Sequence, residues 1–387
     1  MASDSSGVAT TTMCKVTSEL TVQGTWAPEA DAAAEFHFDG RPTLFVTITA
    51  DLPLAQDGTC WLAPATVIAM KLGATLNLPA VDATALENAS KAQAVLAGWF
   101  DDLKPVHVQA TTTALSPGGV GVGCFFSGGV DSFFSALRHS DDITHLIFVR
   151  GFDIAYTDDD LGERAAGAAR AAATAMGKQF VEVRTNIRAV SDPHVSWGLQ
   201  FHGAALAMVG LALAPHLSQV IIPASSYQDE LFPWGSHPDL DPLWSSSAVR
   251  FVHDGTDTTR PDKVAAIARH QVVLDHLRVC WESPGGAYNC GRCEKCLRTM
   301  ISLRTVGALR SCRTLPDSLD VRAVRRVHLN GEGRMSAAEN LRAMRASGCG
   351  DQELERALRT AIRRGRVRGL AGRLTRFVSR VRPSAKA

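Results

Sequence analysis

The sequence is poor in aromatic residues, at 6%, and contains no uninterrupted apolar run of the roughly 18 residues that a membrane-spanning helix requires. Few aromatics beside abundant alanine predict closely packed helices. The opening MASDSSGVATTTMCK lacks a basic stretch followed by an apolar one, so a cytoplasmic protein is expected. The nine cysteines are odd in number, and four of them fall between Cys280 and Cys296, which argues against a disulfide framework and for a metal. The pattern G-x-x-x-x-G-K-[ST] is absent, so an enzyme that cleaves the γ-phosphate on a P-loop is not expected. GGVGVGC superficially matches a dinucleotide fingerprint but precedes its strand instead of following it, which disfavours hydride chemistry. No internal repeat is found.

What remains is ordinary globular composition, 45% hydrophobic and 20% charged, in a length of 387 residues that suits two domains or one core with appendages. The net charge of +1 conceals an asymmetry. Residues 361–387 carry eight arginines, one lysine and no acid, which leaves a formal charge of −8 on the rest.

Residues 1–12 are small and polar and are expected to be disordered. Residues 13–115 show alternating stretches, LTVQGTW and TLFVTITA, then a helical pattern, and read as a small α+β domain. From 116 to 310 the rhythm is strand, helix, strand: VGCFF, VDSFFSAL, THLIFVRG, a long alanine-rich helix, FVEVRT, a helix, SQVIIPAS and VRFVHD. Apolar strands alternating with helices predict a parallel sheet covered on both faces, with ligands gathered outside the carboxyl ends of the strands. Short helices follow over 311–362, and a basic tail over 363–387.

SGGVDS, Ser127 to Ser132, lies between the first of those strands and its helix. Glycines there allow a tight turn and close approach to a ligand. The N–H groups at the helix start, aided by the helix dipole, attract an anion. Ser127 and Ser132 add hydroxyl donors, and Asp131 is placed to cap the helix or help hold magnesium. Together these groups suit a polyphosphate.

CWESPGGAYNCGRCEKC supplies Cys280, Cys290, Cys293 and Cys296 as C-x9-C-x2-C-x2-C, enough thiolates for a closed tetrahedral zinc shell with a structural role. Gly291 permits the turn, and Arg292 and Lys295 offset thiolate charge. Four cysteines also suit an iron–sulfur cluster.

SGGVDS resembles the SGGxDS PP-loop of the ATP pyrophosphatase superfamily, whose members split ATP into AMP and pyrophosphate. Joined to the cysteine knuckle of residues 280–296, it resembles the 7-cyano-7-deazaguanine synthase family over roughly residues 118–305. The resemblance implies a Rossmann-like sheet of the adenine nucleotide alpha hydrolase type and bacterial-type biosynthesis. It implies ATP and Mg2+ as cofactors with a structural zinc, and Ser127, Gly128, Gly129, Val130, Asp131 and Ser132 as the nucleotide-contacting loop. Val149 and Arg150, at the carboxyl edge after the second strand, are added as nucleotide-binding candidates, with Arg150 placed to meet nucleotide or acceptor. RPDKVAAI, from Arg260, looks like that family's lysine-bearing helix start, which makes Lys263 a candidate phosphate contact. The family's substrate segment is not recognisable here, so a different acceptor is expected.

The acceptor region is expected in ASSYQDELFPWGSHPDLDPLWSS, residues 224–246 with Ser247 beyond, too long for a mere connector. Candidates are Ser225, Trp234, Trp244, His237, Asp239 and Asp241, with Asp153 from FVRGFD. The histidines and aspartates are placed to orient polar groups or to accept a proton from an amine. His202 reads either as a core residue or as a pocket residue. Cys124, flanked by phenylalanine in a strand, reads as inert.

The leading expectation is an ATP-dependent ligase that adenylates a small carboxylate for amide or nitrile formation, with ammonia or an amine as nitrogen donor. Ala2 stands where glutamine-dependent relatives carry a nucleophilic cysteine. The alternatives are a tRNA-modifying enzyme of thiolation or lysidine type, to which the basic tail would contribute, and a regulatory protein that holds nucleotide without turnover. A homodimer is compatible with each.

Overall fold

The computed structural model describes residues 18–26, 31–113 and 118–381, with side chains described to residue 367. The expected disorder of residues 1–12 and the side chains of the tail past 367 lie outside the described residues. In chain order the elements are β1 (Glu19–Trp26), β2 (Asp31–Phe38), β3 (Leu44–Ala50), α1 (Thr59–Leu72), β4 (Thr75–Asn77), β5 (Val81–Asp82) and α2 (Ala83–Trp99). There follow β6 (Val108–Gln109), β7 (Thr112–Thr113), β8 (Gly121–Phe125), α3 (Val130–Arg138), β9 (His145–Arg150), α4 (Asp159–Ala175), β10 (Gln179–Thr185), α5 (Ile187–Ser191), α6 (His202–Ala212), β11 (Leu217–Pro223) and β12 (Arg250–Asp254). The C-terminal third is helical: α7 (Arg260–Ile267), α8 (Gln271–His276), α9 (Glu294–Thr305), α10 (Val321–Arg326), α11 (Gly331–Ser347) and α12 (Gln352–Val381).

Ten of the strands form one mostly parallel sheet in the order β12-β11-β8-β9-β10-β3-β2-β1-β4-β6. The protein is therefore α/β. The segment before residue 115 is not set apart from this sheet: β3 pairs antiparallel with β10, with Thr185 opposite Ile48, so its strands extend the sheet edge to edge.

Strand alternation sends neighbouring side chains to opposite faces. Leu146 and Phe148 of β9 pack with Phe133 of α3 and Ala165 and Ala169 of α4 in one buried cluster. Ile147, between them, joins a second cluster with Phe201, Ala205 and Met208 around α6 and with the residues of α1. The parallel portion is thus covered on both faces. Phe126 and Phe133 meet edge to face at 4.8 Å, which locks α3 onto the end of β8.

The order of the parallel strands reverses between β8 and β11: β8 leads to β9 on one side, whereas β11 and β12 lie on the other. Such a reversal leaves a crevice outside the carboxyl ends of the two strands, because their connections depart in opposite directions. The turn after Phe125 and the chain after Pro223 both open onto it.

Candidate functional site

At this reversal lies a cavity of about 500 Å3, within the range of roughly 300–1,000 Å3 usual for small-molecule sites. Ser127, Asp131 and Ser132 line it from the first loop, Val149 and Asp153 from the end of β9, and Ser225, Trp234 and His237 from the loop after β11. The structure thus brings together most of the residues singled out in the sequence.

Gly128 adopts φ +73, a conformation that L side chains rarely adopt, so the turn after Ser127 requires glycine there. Ser127 Oγ accepts the Gly129 N–H at 3.4 Å, and Ser132 Oγ donates to the Gly129 carbonyl at 3.1 Å. The first backbone hydrogen bond of α3 runs from Phe133 to Gly129, so the N–H groups of Val130, Asp131 and Ser132 open the helix without an acceptor among the described residues. They are donors held ready for an anion.

Asp131 receives Arg260 at 2.6 Å and Lys263 at 3.3 Å, and the Lys263 ammonium also donates to the Ala224 carbonyl at 2.7 Å. Burial opposes ionisation of Asp131, but Arg260 and Lys263 outweigh it and hold the carboxyl down to about 2. Lys263, 2% exposed, therefore ties α7 to both loops of the crevice. This carboxylate is already committed to two cations, and that arrangement does not fit the magnesium ligand expected of it. Nor does Asp131 cap the helix: Gly129 is the N-cap residue and no side chain bonds there.

The chain that packs directly against the Ser127 turn holds an arginine that the sequence reading passed over. Arg278 is 6% exposed and lines the cavity, and its backbone N–H donates to Gly128 at 2.8 Å. Its Nε and Nη2 are buried without any hydrogen-bond partner, and no carboxylate pairs with it among the described residues. Lys295, from the cysteine knuckle, reaches the same cavity, and burial lowers its ammonium below the usual lysine range. Arg298, one helical turn further on, is held down to about 10 by burial and then by the nearby Arg260. Cations this crowded and this sparsely compensated are a standing cost that an incoming anion would relieve.

Lys295, Arg298, Arg260 and Lys263 also border a smaller chamber of about 190 Å3 that shares Asp131, Ser225 and Trp234 with the main cavity. Glu339 lies on its far side, 6% exposed, its carboxyl pushed up to about 7 by burial and by Glu230.

Other expected residues sit elsewhere. Arg150 is 3% exposed and turned away from the cavity, bonded to Asp159 at 2.8 Å, Glu163 at 2.6 Å and Glu182 at 3.3 Å. Its neighbour Val149 lines the cavity instead, as strand alternation demands. Trp244 is buried in the core at 3% exposure rather than flanking a ligand. Asp239 points outward, while its N–H donates to Nδ1 of His237 at 3.1 Å. Asp241 does not reach the cavity surface. It lies fully buried beneath it, where Ser236 Oγ and His253 Nδ1 each approach Oδ2 at 2.7 Å. His202 does line the cavity, packed against Trp197 and Phe152, and burial lowers its imidazole below the usual range. Cys124 is fully buried, and burial drives its thiol well up, so it offers no nucleophile.

The four knuckle cysteines bring their Sγ atoms within 4.8 Å of one another, with Cys280–Cys293 at 3.8 Å and Cys290–Cys296 at 3.9 Å. Zinc–sulfur bonds of ~2.3 Å imply a tetrahedral edge of about 3.8 Å, so these thiols fit zinc directly. Backbone N–H groups of Ser283, Cys293 and Cys296 approach Cys280, Cys290 and Cys293 sulfurs at 3.3, 3.2 and 3.4 Å, a shell suited to thiolates. Gly291 turns the knuckle at φ +68, and a Cβ there would meet Pro316 at 2.7 Å. Cys280 follows Arg278 by two residues, and Cys293 and Cys296 bracket Lys295, so a metal held by this cluster would fix two cations of the cavity wall.

Among the described residues no helix is long and apolar enough to cross a membrane. Comparison with protein-family models, curated proteins and solved structures finds no match.

Proposed function

We propose that the chain is an ATP pyrophosphatase-type ligase that activates a small carboxylate as its adenylate, releasing pyrophosphate, and passes the acyl group to ammonia or an amine. The observation that carries this reading is Arg278: a buried, unpaired guanidinium against the SGGVDS turn, in a cavity at the strand-order reversal of the sheet. An uncompensated buried arginine is costly unless a ligand pairs with it, and a phosphate does so with two parallel hydrogen bonds. The free N–H groups at the start of α3 and the hydroxyls of Ser127 and Ser132 would take the remaining phosphate oxygens. In the transition state negative charge grows on the departing pyrophosphate, and donors fixed in advance stabilise it without reorganising. Asp131 acts by holding Arg260 and Lys263 in place, and no step is assigned to a metal bound by it. The Rossmann-like character of the sheet belongs to this same reading.

The test is product analysis. ATP labelled at the α-phosphate, incubated with the protein, magnesium, ammonium and a panel of small carboxylates, should yield AMP and pyrophosphate dependent on one carboxylate class. ADP and phosphate as products would overturn the assignment. A tRNA-modifying reading needs a thiol at the cavity for thiolation, and none of the residues lining it is a cysteine.

A further inference from the structure

We propose that His253 is the proton-accepting group of this cavity, with Asp241 as the carboxylate that positions it. The inference rests on the ligase reading for its reaction, though not for its geometry. His253 sits at the carboxyl end of β12, opposite Ile222 of β11, and lines the cavity beside Ser236 and His237. Its Nδ1 meets Asp241 Oδ2 at 2.7 Å, with side chains 6% and 0% exposed. Neither lysine nor arginine bonds to Asp241 among the described residues: its partners are Ser236 Oγ and this imidazole, and its Oδ1 is buried without any. A ring nitrogen facing a carboxylate carries the proton, which leaves the lone pair on Nε2. Among the described residues Nε2 has no hydrogen-bond partner, and the ring edge away from Asp241 is the one left to the cavity. Gly203 is a fixed requirement of this arrangement, since a Cβ there would come within 2.6 Å of Asp241 Oδ1 and 2.1 Å of the Gly235 carbonyl.

The surrounding groups do not duplicate this one. His237 spends Nδ1 as an acceptor for the Asp239 N–H, and the carboxylate near it, Asp239 Oδ2 at 3.6 Å, is 74% exposed rather than buried like Asp241. His202, from α6, is clasped by Trp197 and Phe152 and has no hydrogen-bond partner among the described residues. Asp153 and Lys295 are the remaining charged groups that face this end of the cavity, besides Asp131 and Arg278 near the Ser127 turn.

The chemistry follows. The nitrogen of ammonia or a primary amine attacks the acyl carbon of the adenylate and a C–N bond forms. The C–O bond to AMP breaks, and AMP leaves with the electron pair as a phosphate monoester. The surplus proton on nitrogen passes to His253 Nε2, where the resulting imidazolium is stabilised by Asp241 before it returns the proton to water.

The test needs no knowledge of the acceptor. The full zinc-loaded chain is treated with diethyl pyrocarbonate, which acylates an unprotonated ring nitrogen, and labelled histidines are mapped by peptide mass spectrometry. His253 should label in the wild type, and Asp241→Asn should slow that labelling at least tenfold while the zinc content stays constant. Histidine-selective 15N NMR of the wild type alone should show His253 protonated on Nδ1 and bare on Nε2. An unlabelled His253, labelling equally fast in Asp241→Asn, or the opposite tautomer would overturn the proposal. Calorimetry with α,β-methylene-ATP on the same sample reads the nucleotide site separately. Binding without labelling overturns the dyad and spares the ligase reading; labelling without binding does the reverse.

Discussion

Arg150 and Arg278 are buried to nearly the same degree, 3% and 6% exposed, the first at the carboxyl end of β9 and the second against the turn that follows β8. Arg150 is surrounded by Asp159, Glu163 and Glu182, which satisfy its charge and tie β9 to α4 and β10. Arg278 has nothing of the kind. A buried arginine with its full set of carboxylates is scaffold, because any ligand would have to displace bonds that already exist. A buried arginine without them stores an unmet requirement, and the cavity beside it is where the proposed ligand would meet it.

The comparison can be broken or sharpened in graded steps. The largest effect is expected from the four-cysteine cluster that flanks Arg278 and Lys295. Cys293→Ser should abolish zinc uptake, seen by elemental analysis, and should lower the unfolding temperature more than any other substitution considered, because binding a structural metal is linked to folding of the segment that holds it. A chelator-stripped sample should unfold at a correspondingly lower temperature and lose affinity for a nucleotide analogue.

Next comes Arg150→Leu. It leaves three acids without their shared cation, although Arg170 and Arg184 still touch Glu182. A loss of about 3 kcal/mol by urea denaturation is expected, with unchanged analogue affinity in the variant that still folds.

Asp131 gives a pH-dependent effect of intermediate size. Its folded-state value, about 2, lies below the ordinary 3.8, so the stabilisation is complete above about pH 4 and is lost as pH falls towards 2. Linkage puts it at about 2 kcal/mol. Denaturation midpoints measured over that window should fall in the wild type, and Asp131→Asn should remove this component.

Arg278→Leu should change stability least, leaving it equal or raising it by about 1 kcal/mol as an unpaired buried charge is removed. The same variant should weaken analogue binding by at least about tenfold in calorimetry. Opposite outcomes for the two arginines would invert the comparison.

Much of the site was legible because its signals are local. SGGVDS announces a glycine turn and a helix start within six residues, and four cysteines at close spacing announce a shared ligand. Lys263 was marked as a phosphate contact by family resemblance, and its bonds to Asp131 and the Ala224 carbonyl were not foreseen. The rest depends on distance. Arg278 lies in VVLDHLRVC, where no motif marks it, and its role arises because the chain returns to lie on Gly128. Arg150 and Val149 are adjacent at a strand end, and only the position of α4 decides which of the two opens to the cavity. His253 ends a strand that the sequence reveals, yet its partner Asp241 is supplied by a separate loop. Likewise the alternating segments before residue 115 predict strands without saying that β3 would pair with β10 and lengthen one sheet.

The most direct test of the central claim is the structure of the chain bound to α,β-methylene-ATP and magnesium. The triphosphate is expected within hydrogen-bonding distance of Ser127, Ser132 and the guanidinium of Arg278. A nucleotide bound elsewhere, with Arg278 still unpaired, would contradict it.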